Sequence, residues 1–350
     1  MKRNVLQMIA AAGLGFAVLA YGQTAPSGPT PQNRSQAIPP NQAPLQLSTP
    51  GQAPTPKPIT FPPPNPKNFT ATTPSMDTVN AFLKQLWGFD PNRKWQVEAI
   101  QKTEAPGLSR VIIFVGEEGS SNRPGETAFF VTPDGQHLIA GGQVMPFPDP
   151  FAATRTLLEE KATGPYRGAA SKKLLLVEFA DLQCPHCKEA EPTMERLEQD
   201  FPTARIVFQN FPINSLHPAA EQAAEYGVCV AQLKGNDAFF KYVQAVFDTQ
   251  AGLTPADTDK TLADAVTKAG ADPAAVKTCV ASPATKAAVD ASRQLGVDVG
   301  VNETPMLVIN GRPLAVNSVP YATLRQLVSY ESSKLAAQSS TAAPSLRTKP

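Results

Sequence analysis

An apolar run, Leu174-Leu175-Leu176-Val177-Glu178-Phe179, is followed closely by Cys184-Pro185-His186-Cys187, and this sequence limits what the chain can fold into. Two cysteines separated by two residues at a strand-to-helix junction are the chemical apparatus of thiol–disulfide exchange. The first must present an exposed, stabilised thiolate, because only the thiolate attacks a disulfide. A thiol with a pKa near 8.5 is only ~3% thiolate at neutral pH. At the N-terminal end of a helix, unpaired backbone N–H groups and the dipole would favour the negative charge on Cys184, and His186 adds a donor that can be cationic. Cys187, one turn later and facing inward, is expected to keep a higher pKa and to resolve the mixed disulfide. Pro185 needs no N–H in the first helical turn.

Other uses of these cysteines fit less well. Haem attachment needs His after the second Cys, and Lys188 stands there. A closed zinc site needs four suitably spaced ligands, and no second close pair of Cys or His exists, so no metal is expected. A cysteine-protease dyad would need a catalytic His elsewhere. His137 reads as a turn-adjacent surface residue, and His217, within Ser215-Leu216-His217-Pro218, as a capping or packing residue. Cys229 and Cys279 read first as a structural disulfide; a second redox pair and an unpaired thiol pair are the alternatives.

Glu178 is the odd residue of its strand. A carboxylate inside an apolar run costs energy unless solvated or paired, and burial raises its pKa. It lies either beneath the cysteine pair, as a proton acceptor for Cys187, or at an edge pointing into water. Pro192 removes an interior helix hydrogen bond and is expected to kink the following helix.

The N-terminus narrows the compartment. Met1-Lys2-Arg3 precedes an apolar stretch from Val5 to Leu19 and small residues before Gln23, the pattern of an export signal over residues 1–22. It is shorter than the ~20 residues of a membrane-spanning helix; retention as an anchor is the alternative. In an oxidising compartment four cysteines favour disulfides over a reduced metal site. The 31 Lys plus Arg nearly balance 30 Asp plus Glu, so no nucleic-acid or anionic-membrane surface is advertised.

The 36 prolines cluster. Residues 23–75, with Pro62-Pro63-Pro64, carry few large apolar side chains and are expected to be an extended, disordered linker. Residues 336–350 read as a polar, disordered tail. About 260 residues remain, enough for two domains. Residues 76–162 open with helically spaced Val79, Phe82, Leu83, Leu86 and Trp87, followed by extended segments at 94–100, 108–116, 127–132 and 137–141. Pro133-Asp134-Gly135 marks a hairpin turn. A helix over 150–161 is expected, with Asp149 as N-cap and Pro150 at its first position. Residues 163–335 read strand, helix, strand, a helical stretch over about 212–297, an Asn310-Gly311 hairpin and a last helix over 320–335. The expected class is α/β, a thioredoxin fold with a helical insertion, preceded by a small α+β domain.

Glu178, the run from Phe179 to Cys187, Pro192, Thr304-Pro305 and the helical insertion together resemble the DsbA/DsbC/DsbG branch of bacterial thioredoxin-fold proteins. The resemblance implies a cis peptide bond at Pro305 beside the disulfide, and backbone hydrogen bonds from Thr304 to an incoming substrate strand. It also implies that the Cys184–Cys187 disulfide itself is the redox group, with no further cofactor. The earlier domain is similar, through Ala105-Pro106-Gly107-Leu108, Phe130-Val131-Thr132-Pro133-Asp134-Gly135 and Gly141-Gly142, to the dimerisation domain of DsbC and DsbG, with 150–161 as linker helix.

The leading expectation is a disulfide oxidoreductase of the periplasm or cell envelope acting on cysteine-containing exported proteins. Cys-Pro-His-Cys resembles the oxidase dipeptide, implying a quinone-linked membrane partner of the DsbB type. Thr304 and the N-terminal domain resemble the isomerases, which are dimers kept reduced by a DsbD-type partner. The dipeptide tips the reading towards oxidation or general exchange. A non-catalytic thioredoxin-fold chaperone and an envelope protein tethered through its Pro-rich linker are the other classes.

Overall fold

A computed structural model describes residues 59–120 and 123–341. The export signal, linker residues 23–58 and residues 342–350 of the tail lie outside the described residues.

The N-terminal unit is built on α1 (Met76–Trp87), whose N-cap Ser75 accepts the N–H of Thr78. Its Val79, Phe82 and Leu83 pack on one face of an antiparallel sheet. The strands, β1 (Arg93–Lys102), β2 (Ser109–Glu117), β3 (Gly125–Val131), β4 (His137–Ala140) and β5 (Gln143–Pro146), lie in sequence order. The sequence reading lacks β5, which pairs with β4 across the tight turn at Gly141-Gly142, where both φ values are positive.

Three boundaries differ from expectation. Residues 59–75 are not a free linker but run along this sheet. The Ala71 N–H donates to the Ile100 carbonyl (3.0 Å), the Gln96 side chain donates to the Pro62 carbonyl (2.6 Å), and Phe61 stacks on Phe114. Scattered apolar residues among the prolines supply the anchors. At the other end, the helix expected to stop at 335 continues as α9 (Tyr321–Thr341), because Ala336 and Ala337 favour helix. The connecting helix, α2 (Ala152–Lys161), starts two residues later than expected with Phe151 as N-cap. Asp149 instead accepts the Phe151 N–H (3.0 Å) and pairs with Arg155 (2.8 Å).

The second unit has the expected thioredoxin architecture. Its sheet runs β10-β9-β7-β8-β6, with β6 (Tyr166–Gly168), β7 (Leu174–Ala180), β8 (Ala204–Asn210), β9 (Met306–Ile309) and β10 (Arg312–Ala315). β7 is central, parallel to β8 and antiparallel to β9. It is buried throughout, which explains its uninterrupted apolar sequence. The edge strand β6 lies just inside the start of the second unit. Leu174 and Leu176 face α3 (Pro185–Asp200) through Ala190, Met194 and Leu197 on one side; Leu175, Val177 and Phe179 pack on the other. α3 runs as a single helix through Pro192.

Between β8 and β9 lie α4 (Ala220–Lys234), α5 (Asn236–Asp248), α6 (Thr258–Lys268), α7 (Pro273–Val280) and α8 (Pro283–Asp298). Their core includes Phe239, Tyr242 and Val246 and meets Ala180, Leu182 and both Cys184 and Cys187. Cys229 in α4 and Cys279 in α7 form a disulfide.

Candidate redox site

Three segments converge at the C-terminal end of β7. The loop 181–184 leads from that strand into α3, with Cys184 as N-cap (φ −75°, ψ 122°) and Pro185 as first helical residue. The Cys184 carbonyl accepts the N–H groups of Cys187 (3.2 Å) and Lys188 (3.3 Å), closing the first turn. The register Phe179↔Met306 between β7 and β9 brings the residues just before β9 alongside. Thr304-Pro305 is cis, and the Cys184 thiol donates to the Thr304 carbonyl at 3.7 Å. The insertion closes the third side: Gln250 Nε2 donates to the carbonyls of Leu182 (3.1 Å) and Cys184 (3.0 Å).

Both thiols are free in this structure, and neither is freely exposed. Cys184 is 5% exposed, against the expectation of an open thiolate, and Cys187 is fully buried. Their electrostatics diverge nonetheless. The hydrogen bond from Cys187 is the largest influence on Cys184; with the Thr304 side chain and the backbone N–H groups of Cys187 and His186, it outweighs burial and takes the thiol from 9.0 to about 5. That makes the thiolate the dominant form at neutral pH. Burial pushes Cys187 well above the usual thiol range, and the neighbouring Cys184 adds to it. The Thr304 side chain acts on both thiols in the lowering direction.

The His186 imidazole is 67% exposed and bonds Glu189 (3.0 Å), which raises its pKa. Its contribution to Cys184 runs mainly through its backbone N–H at the helix start. Its carbonyl accepts from Asn317, tying the first turn to the segment after β10.

Glu178 is 1% exposed, which removes the solvent-facing alternative. Strand alternation places it on the same face of β7 as Leu174 and Leu176, under α3. Burial, reinforced by the Glu191 carboxylate and opposed by Arg167, lifts it to about 8. Arg167 of β6 and Glu191 of α3 form a buried ion pair (2.7 Å). Neither was singled out from the sequence, although Glu191 lies one turn after Cys187 on the same helix face.

Asp181 was also missed. It is 1% exposed; its N–H donates to Cys187 Sγ (3.4 Å) and its carboxylate accepts from His217 Nδ1 (2.9 Å). The available signal was an acid three residues before Cys184, within the stretch joining an apolar strand to a helix. His217 thus packs, as read, but against the redox loop. His137 sits on the surface beside Asp134 (3.3 Å), far down the chain from the cysteines.

Residues 175–329 match the DSBA-like thioredoxin domain. A segment of 91 residues is 34% identical to the Na(+)/H(+) antiporter NhaA 3 of Salinispora tropica, covering 26% of this chain and 14% of that protein. The chain thus matches a small part of the length of its curated relatives. Among solved structures, Proteus mirabilis ScsC in a transitional conformation is 23% identical, with TM-score 0.44 over 53% of this chain and 79% of that one. The thiol-disulfide exchange protein alpha-DsbA2 from Wolbachia pipientis is also 23% identical, with TM-score 0.44 over 51% and 95%.

Proposed function

We propose that this chain, whose residues 175–329 match the DSBA-like thioredoxin domain, introduces or exchanges disulfides in cysteine-containing exported proteins through Cys184 and Cys187. The observation that carries this reading is the split between the two thiols: Cys184 near 5 and Cys187 well above 9.0. A low-pKa Cys184 is ionised at neutral pH and ready to attack, and it is also a good leaving group. Stabilising that thiolate stabilises the reduced pair, which makes the disulfide form more oxidising. This favours the oxidase direction.

The redox group is the Cys184–Cys187 pair itself, with no bound cofactor. In the oxidising direction a substrate thiolate attacks Cys184 Sγ of the disulfide and Cys187 leaves as a thiolate. A second substrate thiolate then attacks the substrate sulfur of the mixed disulfide and expels Cys184. Thr304 beside the pair offers its backbone to the substrate strand. Glu178, protonated near neutral pH and buried under α3, exchanges the proton that Cys187 takes up or gives away.

The location proposed is the periplasm or cell envelope. The export-like N-terminus and the Cys229–Cys279 disulfide support it, since disulfides persist in oxidising compartments. Re-oxidation would then fall to a membrane partner of the DsbB type. A dimeric isomerase, joined through the N-terminal domain and kept reduced by a DsbD-type partner, is the second reading; Thr304 before the cis-proline favours it.

Insulin reduction by the wild type, lost in Cys184→Ser, tests the chemistry: an equal rate in the variant would refute it. The redox state of the pair in exported protein tests the direction. Mostly oxidised protein is expected; mostly reduced protein would favour the isomerase.

A further inference from the structure

Asp181 holds both cysteines from its backbone and is itself held from its side chain. Its N–H donates to Cys187 Sγ (3.4 Å) and its carbonyl accepts the Cys184 N–H (3.1 Å). Its buried carboxylate accepts from three directions: the Gln183 N–H (2.8 Å), the Ile213 N–H (2.8 Å) and His217 Nδ1 (2.9 Å). The last two belong to the segment joining β8 to the helical insertion. A buried carboxylate costs several kcal/mol unless its lone pairs are met. Three donors meet them here, and in doing so fix the two peptide planes that flank the residue.

We propose that Asp181 is a positioning residue for disulfide exchange and that His217 is its clamp, together holding the Asp181 N–H on the Cys187 sulfur. This rests on the exchange reading above and adds a role for the segment that leads from β8 into the insertion, which supplies His217. The step it serves is common to both directions. With a mixed disulfide on Cys184, the Cys187 thiolate attacks Cys184 Sγ; a Cys184–Cys187 bond forms and the bond to the outer sulfur breaks. The outer sulfur leaves as a thiolate with the electron pair and takes up the proton that Cys187 has lost. In reverse, Cys187 is the leaving thiolate. Either way negative charge resides on Cys187 Sγ, in a site whose burial opposes it. A fixed N–H donor offsets that opposition without reorganising. The donation lowers the Cys187 pKa, as expected of such a contact. His186 has no share in this, since its ring faces Glu189.

The test uses the full-length reduced protein and glutathione disulfide, with acid quenching and mass measurement of the Cys184–glutathione intermediate. Attack by Cys184 and resolution by Cys187 are thereby timed separately. Asp181→Ala keeps the backbone N–H but releases the contacts that hold it on the Cys187 sulfur, so resolution should slow, by about tenfold where the loosened N–H leaves the thiolate, and the intermediate should accumulate. The attack step should change by no more than about twofold, because the contacts that lower the Cys184 pKa come from Cys187, Thr304 and His186. His217→Ala should slow resolution in the same sense by a smaller factor. The double variant should be no slower than Asp181→Ala, because the two act as one unit.

Unchanged resolution in either folded variant would overturn the proposal. Equal slowing of both steps would also overturn it, since that marks a general loosening of the loop. Should Asp181→Ala fail to fold, His217→Ala decides by the same two criteria. Wild-type protein that forms no Cys184–glutathione adduct at all would instead refute the exchange reading itself.

Discussion

Cys184 and Cys187 are three positions apart on one helical turn, yet their environments push them in opposite directions. The difference arises first from their mutual contact, in which the Cys187 thiol supports the Cys184 thiolate, with Thr304 and the first-turn N–H groups adding to it, whereas Cys187 is buried against the insertion core. Thiolate absorbance near 240 nm in the reduced protein should therefore titrate at about pH 5 and be lost in Cys184→Ser. Because the folded pKa lies below the unfolded one, the stability this thiolate contributes is fully present above 9.0 and lost as pH falls through about 5. The reduced protein should resist urea better at pH 7 than at pH 5 by more than the oxidised protein does.

Glu178 runs the other way. Its folded pKa is raised from 4.5 to about 8, so its contribution is fully present below 4.5 and lost as pH rises through 8. Glu178→Gln should flatten that alkaline decline, leaving the variant at least as stable as wild type at pH 9. If it also carries the proton of Cys187, exchange should slow in the same variant. Stopped-flow exchange and urea titration separate the two effects.

At the scale of elements, the Asn310-Gly311 turn joins β9 to β10 in the two-residue form expected of Asn-Gly. Both residues have positive φ (49° and 92°). Gly311 also sits against the backbone of α2's N-cap: an added Cβ would fall 2.4 Å from the Phe151 carbonyl oxygen. Gly311→Ala should cost about 2 kcal/mol or more, from backbone strain plus this overlap, measurable as a lower urea midpoint. In the insertion, the Cys229–Cys279 disulfide closes a loop of 50 residues. Chain-entropy reasoning assigns it about 4 kcal/mol. Replacing both cysteines by Ala should lower stability by up to that amount while leaving the Cys184 titration in place; a shifted titration would mean that the insertion disulfide communicates with the redox pair.

Across the whole molecule, the two units meet at the C-terminal end of α1. The Gly88 N–H caps the Lys84 carbonyl (2.9 Å), and the thioredoxin unit supplies further donors to the last turn. Arg312 donates to the carbonyls of Gln85 and Leu86, and Tyr330 donates to that of Lys84 (2.7 Å). Lys334 reaches the Gln85 side chain. These cations also face the negative end of the helix dipole. Arg312 is buried, and its charge is balanced by Glu331, which pairs with Lys334 as well (3.0 Å). Arg312→Ala should therefore lower stability by about 3 kcal/mol, because it leaves the buried Glu331 with Lys334 as its cationic partner and the Gln85 and Leu86 carbonyls without this donor. Limited proteolysis between residues 88 and 92 should accelerate in parallel. A variant as stable as wild type would show that the units do not depend on this contact.

What the sequence determined alone was whatever depends on neighbours along the chain. The strand-to-helix cysteine motif, the buried central strand, the Asn-Gly hairpin and the insertion of helices within a thioredoxin fold are all of this kind. Periodicity and local geometry suffice for them. The tertiary structure decided what depends on residues distant in sequence. It buried Glu178 beside Glu191 and Arg167, placed the His217 ring on Asp181 from 36 residues away, and laid Phe61 and Ala71 on the sheet. A charge or a proline reads the same in sequence whether it meets solvent or a partner; only the fold supplies that partner, and with it the energy that shifts a pKa or orders a segment.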